Sequence, residues 1–250
     1  MRKILSVATA IGLLLSFLAL SPASLRADSG ALPTSSAESA SAAIAAGRGF
    51  HCWVQGGGAK CIGLNDVGQL GDGTNINRTA TVNVTGLSSG VIAIAAGDAH
   101  VCALITGGSV KCWGSNTRGQ LGDGSTVNSS TPVQVGGLTT GVVRVEAGLE
   151  TTCAITSVGR ALCWGNNQTY GAGSATTDGN ADNEFDPVLT PTQVTGLSSG
   201  VVAISISGER TSATVSVTHG CAVLEYGDLK CWGSNSSGQA GVAGSGPFST

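Results

Sequence analysis

Cysteine returns along this chain at a nearly fixed interval. Cys52 and Cys102 are 50 residues apart, Cys102 and Cys153 are 51 apart, and each has a second cysteine nine or ten residues later, at Cys61, Cys112 and Cys163. A fourth pair, Cys221/Cys231, begins 68 residues after Cys153, so the third interval holds an insertion of about 17 residues. Other landmarks keep the same order around every pair. An apolar stretch ending in Ala-Gly (Ile94 to Gly97, Val145 to Gly148) precedes the first cysteine, a glycine turn follows, and the second cysteine leads into a glycine-rich stretch. That stretch reads WGSNTRGQLGDG from Trp113 to Gly124 and IGLNDVGQLGDG from Ile62 to Gly73, with looser versions from Trp164 and Trp232; Gly-Leu-x-x-Gly-Val then closes the unit at Gly86, Gly137 and Gly196. Self-similarity at such a period marks a chain built from repeated supersecondary units.

The unit is made of strands. Of 250 residues 39 are glycine, more than twice the usual share of roughly 7%, while only 11% are charged and 4% aromatic. This mix suits short strands and tight turns, and no segment shows a helical period. The expected fold is all-β, a β-propeller of four-stranded antiparallel blades with about four blades present, at 44–91, 92–142, 143–201 and 202–250. Blades that cannot bury both faces alone pack against one another; a solenoid stack is the competing arrangement.

The order AGxxHxCA, glycine turn, CWGxNxxGQLGDG, GLxxGV resembles the regulator of chromosome condensation repeat, in a secreted, cysteine-bearing bacterial form, over about residues 44–246. The resemblance implies a propeller, typically of seven blades. Here four are counted, and the sequence reaches Thr250 before a fourth closing strand or GLxxGV. A truncated piece of a longer protein, favoured, a ring completed by another chain, and a partial propeller all stand open.

An even number of cysteines falling as local pairs suggests disulfides. A Thr106-Gly107-Gly108 turn sets Cys102 opposite Cys112, and Gly56-Gly57 does the same for Cys52 and Cys61. Opposed residues of an antiparallel pair lie at disulfide distance, so Cys153/Cys163 and Cys221/Cys231 are read alike; buried thiols are the alternative. Zinc is disfavoured because no Cys-x-x-Cys occurs, a spacing that structural sites require. His100 and His219 stand where the other repeats have Phe50 and Thr151, so a hydrogen-bonding role is favoured over metal binding or catalysis.

Trp113, Trp164 and Trp232 share one repeat position, taken by Ile62 in the first unit. Packing between blades is favoured over a ligand shelf. Glycines such as Gly119 and Gly122 suit positive-φ turns, with Asp72 and Asp123 accepting backbone hydrogen bonds beside them. The insertion breaks the pattern: Asp178, Asn180, Asp182, Glu184 and Asp186 alternate at every second residue. Their opening matches a calcium loop, but Asn183 replaces the turn glycine and Leu189 the closing glutamate. A solvated acidic loop is the favoured reading, calcium the minor one, and no other cofactor is expected. ISISGERTSATVSVTHG, from Ile204 to Gly220, lengthens the last repeat as an extended hairpin or edge elaboration.

Residues 1–27 read as a signal peptide: Arg2 and Lys3, an apolar run from Ile4 to Leu20, then small residues to Ala27. Residues 28–43, small and polar, read as a flexible linker ahead of a repeat domain at 44–250. Cleavage takes the 12 basic residues to 9 against 15 acidic, so the mature chain is negative and does not attract nucleic acid. After cleavage no membrane span is expected. The chain is expected outside the cell, in the periplasm or at the cell surface. Five Asn-x-Ser/Thr sequences, at Asn77, Asn83, Asn128, Asn167 and Asn235, would be glycan acceptors in a eukaryotic secretory pathway and polar turns in a bacterium.

Neither Gly-x-Ser-x-Gly nor His-Glu-x-x-His occurs, so no enzyme is expected. The expected role is a secreted protein-binding module acting through blade loops, its partner unknown; a structural cell-envelope protein is the alternative. The resemblance adds two models: intracellular relatives act in nucleotide exchange on a small GTPase and bind chromatin, and a secreted bacterial relative inhibits β-lactamase. Leader and charge argue against the first, and no loop here matches an inhibitory surface residue by residue.

Overall fold

Within each sheet consecutive strands pair antiparallel, because they are mostly short and joined by glycine turns or glycine-rich loops. The computed structural model describes residues 43–173, 187–211 and 216–241, all within one compact unit, Glu38–Thr250. The expected signal peptide and all but the last residue of the expected linker lie outside the described residues.

The first blade holds β1 (Ile44–Gly47), β2 (Phe50–Gln55), β3 (Gly58–Gly63) and β4 (Arg78–Asn83), hydrogen-bonded in that order. Blade two repeats it with β5 (Val91–Ala96), β6 (His100–Ile105), β7 (Ser109–Gly114) and β8 (Ser129–Gln134), and blade three with β9 (Val142–Ala147), β10 (Thr151–Thr156), β11 (Ala161–Gly165) and β12 (Val188–Gln193). In the fourth, β13 (Val201–Arg210), β14 (Ser216–Leu224) and β15 (Leu229–Gly233) form a three-stranded sheet among the described residues, where four strands were expected. The innermost strands of neighbouring blades touch, β1 with β5, β5 with β9 and β9 with β13. This is the β-propeller arrangement.

Register explains the cysteines. Cys52 faces Cys61, Cys102 faces Cys112, Cys153 faces Cys163 and Cys221 faces Cys231, and each pair is joined as a disulfide with Cα atoms 4.0 to 4.1 Å apart. Every blade is thus clamped between its second and third strands, a loop closure worth roughly 2 to 3 kcal/mol per bridge.

The core lies between the blades. Side chains alternate across a strand, so Ile94, Val101 and Ala103 of blade two join the first blade's cluster with Leu70, Val84 and Leu87, while Ala93, Cys102 and Leu104 join the cluster reaching into blades three and four. The same contact seals each junction. The indole N–H of Trp113 donates to the Gln69 carbonyl (3.0 Å), that of Trp164 to Gln120 (2.9 Å) and that of Trp232 to Gly171 (3.2 Å). The indole enters beside a glycine: Gly71 and Gly122 have φ of +66° and +68°, and a Cβ there would lie 2.8 Å from the Trp113 Nε1 and 2.6 Å from the Trp164 Nε1.

Gly122→Ala is therefore expected to cost more than about 2 kcal/mol, from left-handed strain added to overpacking. Trp164→Phe keeps one aromatic ring but loses the indole hydrogen bond and the volume of the second ring, a cost of about 2 to 3 kcal/mol. Urea midpoints at unchanged slope measure both; a negligible shift for either variant would remove the indole socket as the organising contact.

Candidate interaction surface

Antiparallel order brings the β1–β2 turn and β3–β4 loop, and their counterparts in the other blades, to one end of the sheets. The long loops there are braced from within. Asn65 accepts the Leu70 N–H on its Oδ1 (2.8 Å), and its Nδ2 donates to the Thr74 and Ile76 carbonyls and to Asp72 Oδ1. Its own N–H donates to Asn77 Oδ1 at 2.7 Å. Asn116 repeats this with the Leu121 N–H (2.9 Å), the Ser125 carbonyl, Asp123 and Asn128. Asn167 and Asn235 hold the same place, accepting from Ala172 N–H (3.2 Å) and Ala240 N–H (2.8 Å). These four asparagines were missed as a set. The signal was present: each stands two residues after the Gly that follows the Trp or Ile62.

Asp72 and Asp123 complete the braces, accepting the N–H and hydroxyl of Thr74 and of Ser125. Burial pushes the Asp72 carboxyl up, but the Thr74 hydroxyl and Arg78 guanidinium hydrogen bonds outweigh it and leave it below the ordinary carboxylate value. Gly119 and Gly122 both take positive φ in the same loop. The candidate calcium residues Asp178, Asn180, Asp182, Glu184 and Asp186 lie outside the described residues.

Toward the axis the inner strands line an open hollow of about 300 Å³, walled by Ala46, Ala96, Ala147, Ile206 and glycines with Arg48 and Asp98 at its edge. Arg48 N–H donates to the Asp98 carbonyl and Asp98 N–H to the Leu149 carbonyl, stitching blades one to three. Blade four breaks this ladder. Its β13 and β14 stay paired as far as Arg210↔Ser216, an extended hairpin where the other blades turn after Ala-Gly or its counterpart. Arg210 then reaches Asp98 (3.2 Å) and Glu150 (2.9 Å), Arg48 meets Asp98 at 3.4 Å, and Glu150 also accepts from Asn166. The hairpin rests on the blade-three loop that departs from GQLGDG: a 3-10 turn at Gln168–Tyr170 whose Gln168 side chain accepts the Ser216 N–H. Both departures from the repeat meet here.

His100 is fully buried beneath Gly97, as Phe50 is beneath Gly47, and a Cβ added to either glycine would collide with the ring below. The Thr152 hydroxyl donates to the Gln120 carbonyl (3.0 Å) and so receives the Nε2–H of His100 at 2.9 Å, leaving Nδ1 unprotonated and without a partner among the described residues. Burial, partly opposed by the Glu150 charge, lowers its pKa to about 4. His219 is half-buried on β14, opposite Gly233.

Two descriptions of the Regulator of chromosome condensation (RCC1) repeat match the chain, one at residues 61–104 and 107–155 and the other at 91–120, 142–172 and 213–239. The chain belongs to the regulator of chromosome condensation repeat family. The human Regulator of chromosome condensation is 36% identical over 106 residues, 42% of this chain and 25% of that protein. The Arabidopsis thaliana Ultraviolet-B receptor UVR8 is 30% identical over 169 residues, 66% of this chain and 36% of its own length. The crystal structure of Prp20p from Saccharomyces cerevisiae superimposes with a TM-score of 0.66 at 18% identity, over 80% of this chain and 47% of that one. The chain thus spans less than half the length of each of these relatives.

The neutral His100 makes stability depend on acid. Its folded pKa lies below its unfolded value of 6.5, so between those values the unfolded state binds the extra proton and stability falls as pH drops from about 6.5 to about 4, by roughly 3 kcal/mol. His100→Phe, borrowing the residue of blade one, should flatten that part of the profile in urea titrations at stepped pH. An unchanged slope would show that His100 is not its source.

Proposed function

We propose that this chain is a secreted, non-enzymatic protein-binding module whose contact surface is the loop end of blades three and four. The observation that carries this is the meeting of the two departures from the repeat, the extended β13–β14 hairpin and the altered blade-three loop, held by Arg210 on Asp98 and Glu150. A scaffold of repeated blades can present such an irregular surface rigidly. Four disulfides and the apolar leader support an extracellular place, and no helix among the described residues is long and apolar enough to cross a membrane. The Prp20p structure is described with binding to Gsp1p and histones, which supports protein partners for such a fold; the acidic mature charge of this chain favours a different partner.

Arg210→Glu should release the hairpin and weaken binding by about 10-fold or more while lowering the melting temperature by only a few degrees. Proteins cross-linked to the immobilised full chain in the extracellular fraction of the producing culture are to be identified and titrated against both forms. Equal affinity for wild type and variant, or no stoichiometric partner, would reject this surface.

A further inference from the structure

The Asn-x-Ser/Thr sequences divide according to where the repeat places them. Asn167 and Asn235 occupy the loop-bracing position, 0% and 8% exposed, their Oδ1 atoms accepting backbone N–H groups. A sugar on either amide would have to displace the loop core. Asn83 lies in β4 with its Oδ1 held by the Lys60 ammonium, and the residue before it, Val82, packs against the core of the first blade.

Asn77 and Asn128 hold a different, repeat-equivalent position just ahead of β4 and β8. Both are exposed. In each, the Oδ1 accepts the backbone N–H of the bracing asparagine at 2.7 Å, which fixes the carboxamide, while the Nδ2 makes no hydrogen bond among the described residues. The residue before each one supplies a second observation. Ile76 and Val127 are 61% and 71% exposed at these equivalent loop tips, one beside each acceptor. The C–H face of a sugar attached at the next residue would cover them, removing apolar surface from water.

We propose that, in a eukaryotic secretory pathway, Asn77 and Asn128 are the N-glycan acceptors of this chain and that Asn167 and Asn235 are not. The co-reactant is an oligosaccharide carried on a lipid pyrophosphate. The Nδ2 bonds to the anomeric carbon as the bond from that carbon to the pyrophosphate oxygen breaks; the amide proton passes to a base of the transferase and the lipid pyrophosphate leaves.

The inference rests on the secreted reading, and the experiment separates the two. The full chain is expressed in a eukaryotic secretory host behind its own leader and, in parallel, behind the leader of an established secreted protein. Glycans are released enzymatically in heavy-oxygen water and the labelled aspartates mapped by peptide mass spectrometry. Most secreted molecules should carry label at 77 and 128 and none at 167 or 235. Thr79→Ala and Ser130→Ala destroy the two acceptor sequences while keeping both asparagine braces, so each should remove one glycan and leave the circular-dichroism melt in place. Unlabelled 77 and 128, or label at 167 or 235, would overturn the assignment. Retention of the chain with its own leader alone would count against secretion, while the second arm still reads the sites.

Discussion

Each blade is tied to the one before it by an indole hydrogen bond made across a glycine. The carbonyls that accept from Trp113, Trp164 and Trp232 belong to the loop of the preceding blade, so the conformation of that loop and the docking of the next blade depend on one another. This is why the loops are braced so heavily. The asparagine that accepts the Leu70 or Leu121 N–H fixes the backbone one residue beyond the accepting carbonyl, and the glycine after that leucine opens the space the ring enters. A buried polar group without a partner costs about 1 to 3 kcal/mol. Here the indole N–H and the loop carbonyl satisfy one another, and the surrounding faces exclude water from both.

The disulfides act on a different scale. They join strands within a blade and do not cross between blades, so they hold each sheet together without determining how sheets pack. Packing falls to alternation along β5 and β6, where Ile94, Val101 and Ala103 serve one neighbour and Ala93, Cys102 and Leu104 the other. A one-residue slip would exchange the two sets. The cysteine pair, fixed in register at the centre of each sheet, excludes that slip.

The parts of this arrangement that could be read from sequence are those carried by local spacing. Cysteine pairs nine or ten residues apart imply opposed strand positions once a glycine turn lies between them, and a tryptophan recurring beside the second cysteine implies a repeated contact. The lengthening of β13 and β14 was visible as residues in excess of the repeat. Its attachment was not, because Arg210 meets Asp98 and Glu150 across separations of 112 and 60 residues, and no local pattern pairs charges so far apart. The bracing asparagines escaped for another reason. Asn167 and Asn235 drew attention through the Asn-x-Ser/Thr pattern, which concealed that they share a repeat position with Asn65 and Asn116.

The first blade shows what changes when the contact is missing. Ile62 stands in the tryptophan position, and on the same face Trp53 replaces the alanine that is fully buried in the other blades, as Ala103, Ala154 and Ala222. His51, stacked on Trp53 with ring centroids 5.8 Å apart, replaces Val101, Thr152 and Gly220. Each junction within the chain depends on a small residue in the middle of that face to let two sheets approach, since sheets pack about 10 Å apart only where the side chains between them fit. An indole in place of a methyl group obstructs that approach, and without a tryptophan at position 62 no N–H is available for a preceding loop carbonyl. The blade template therefore changes at this face: its residues suit a surface that differs in both shape and polarity from the three junctions inside the chain.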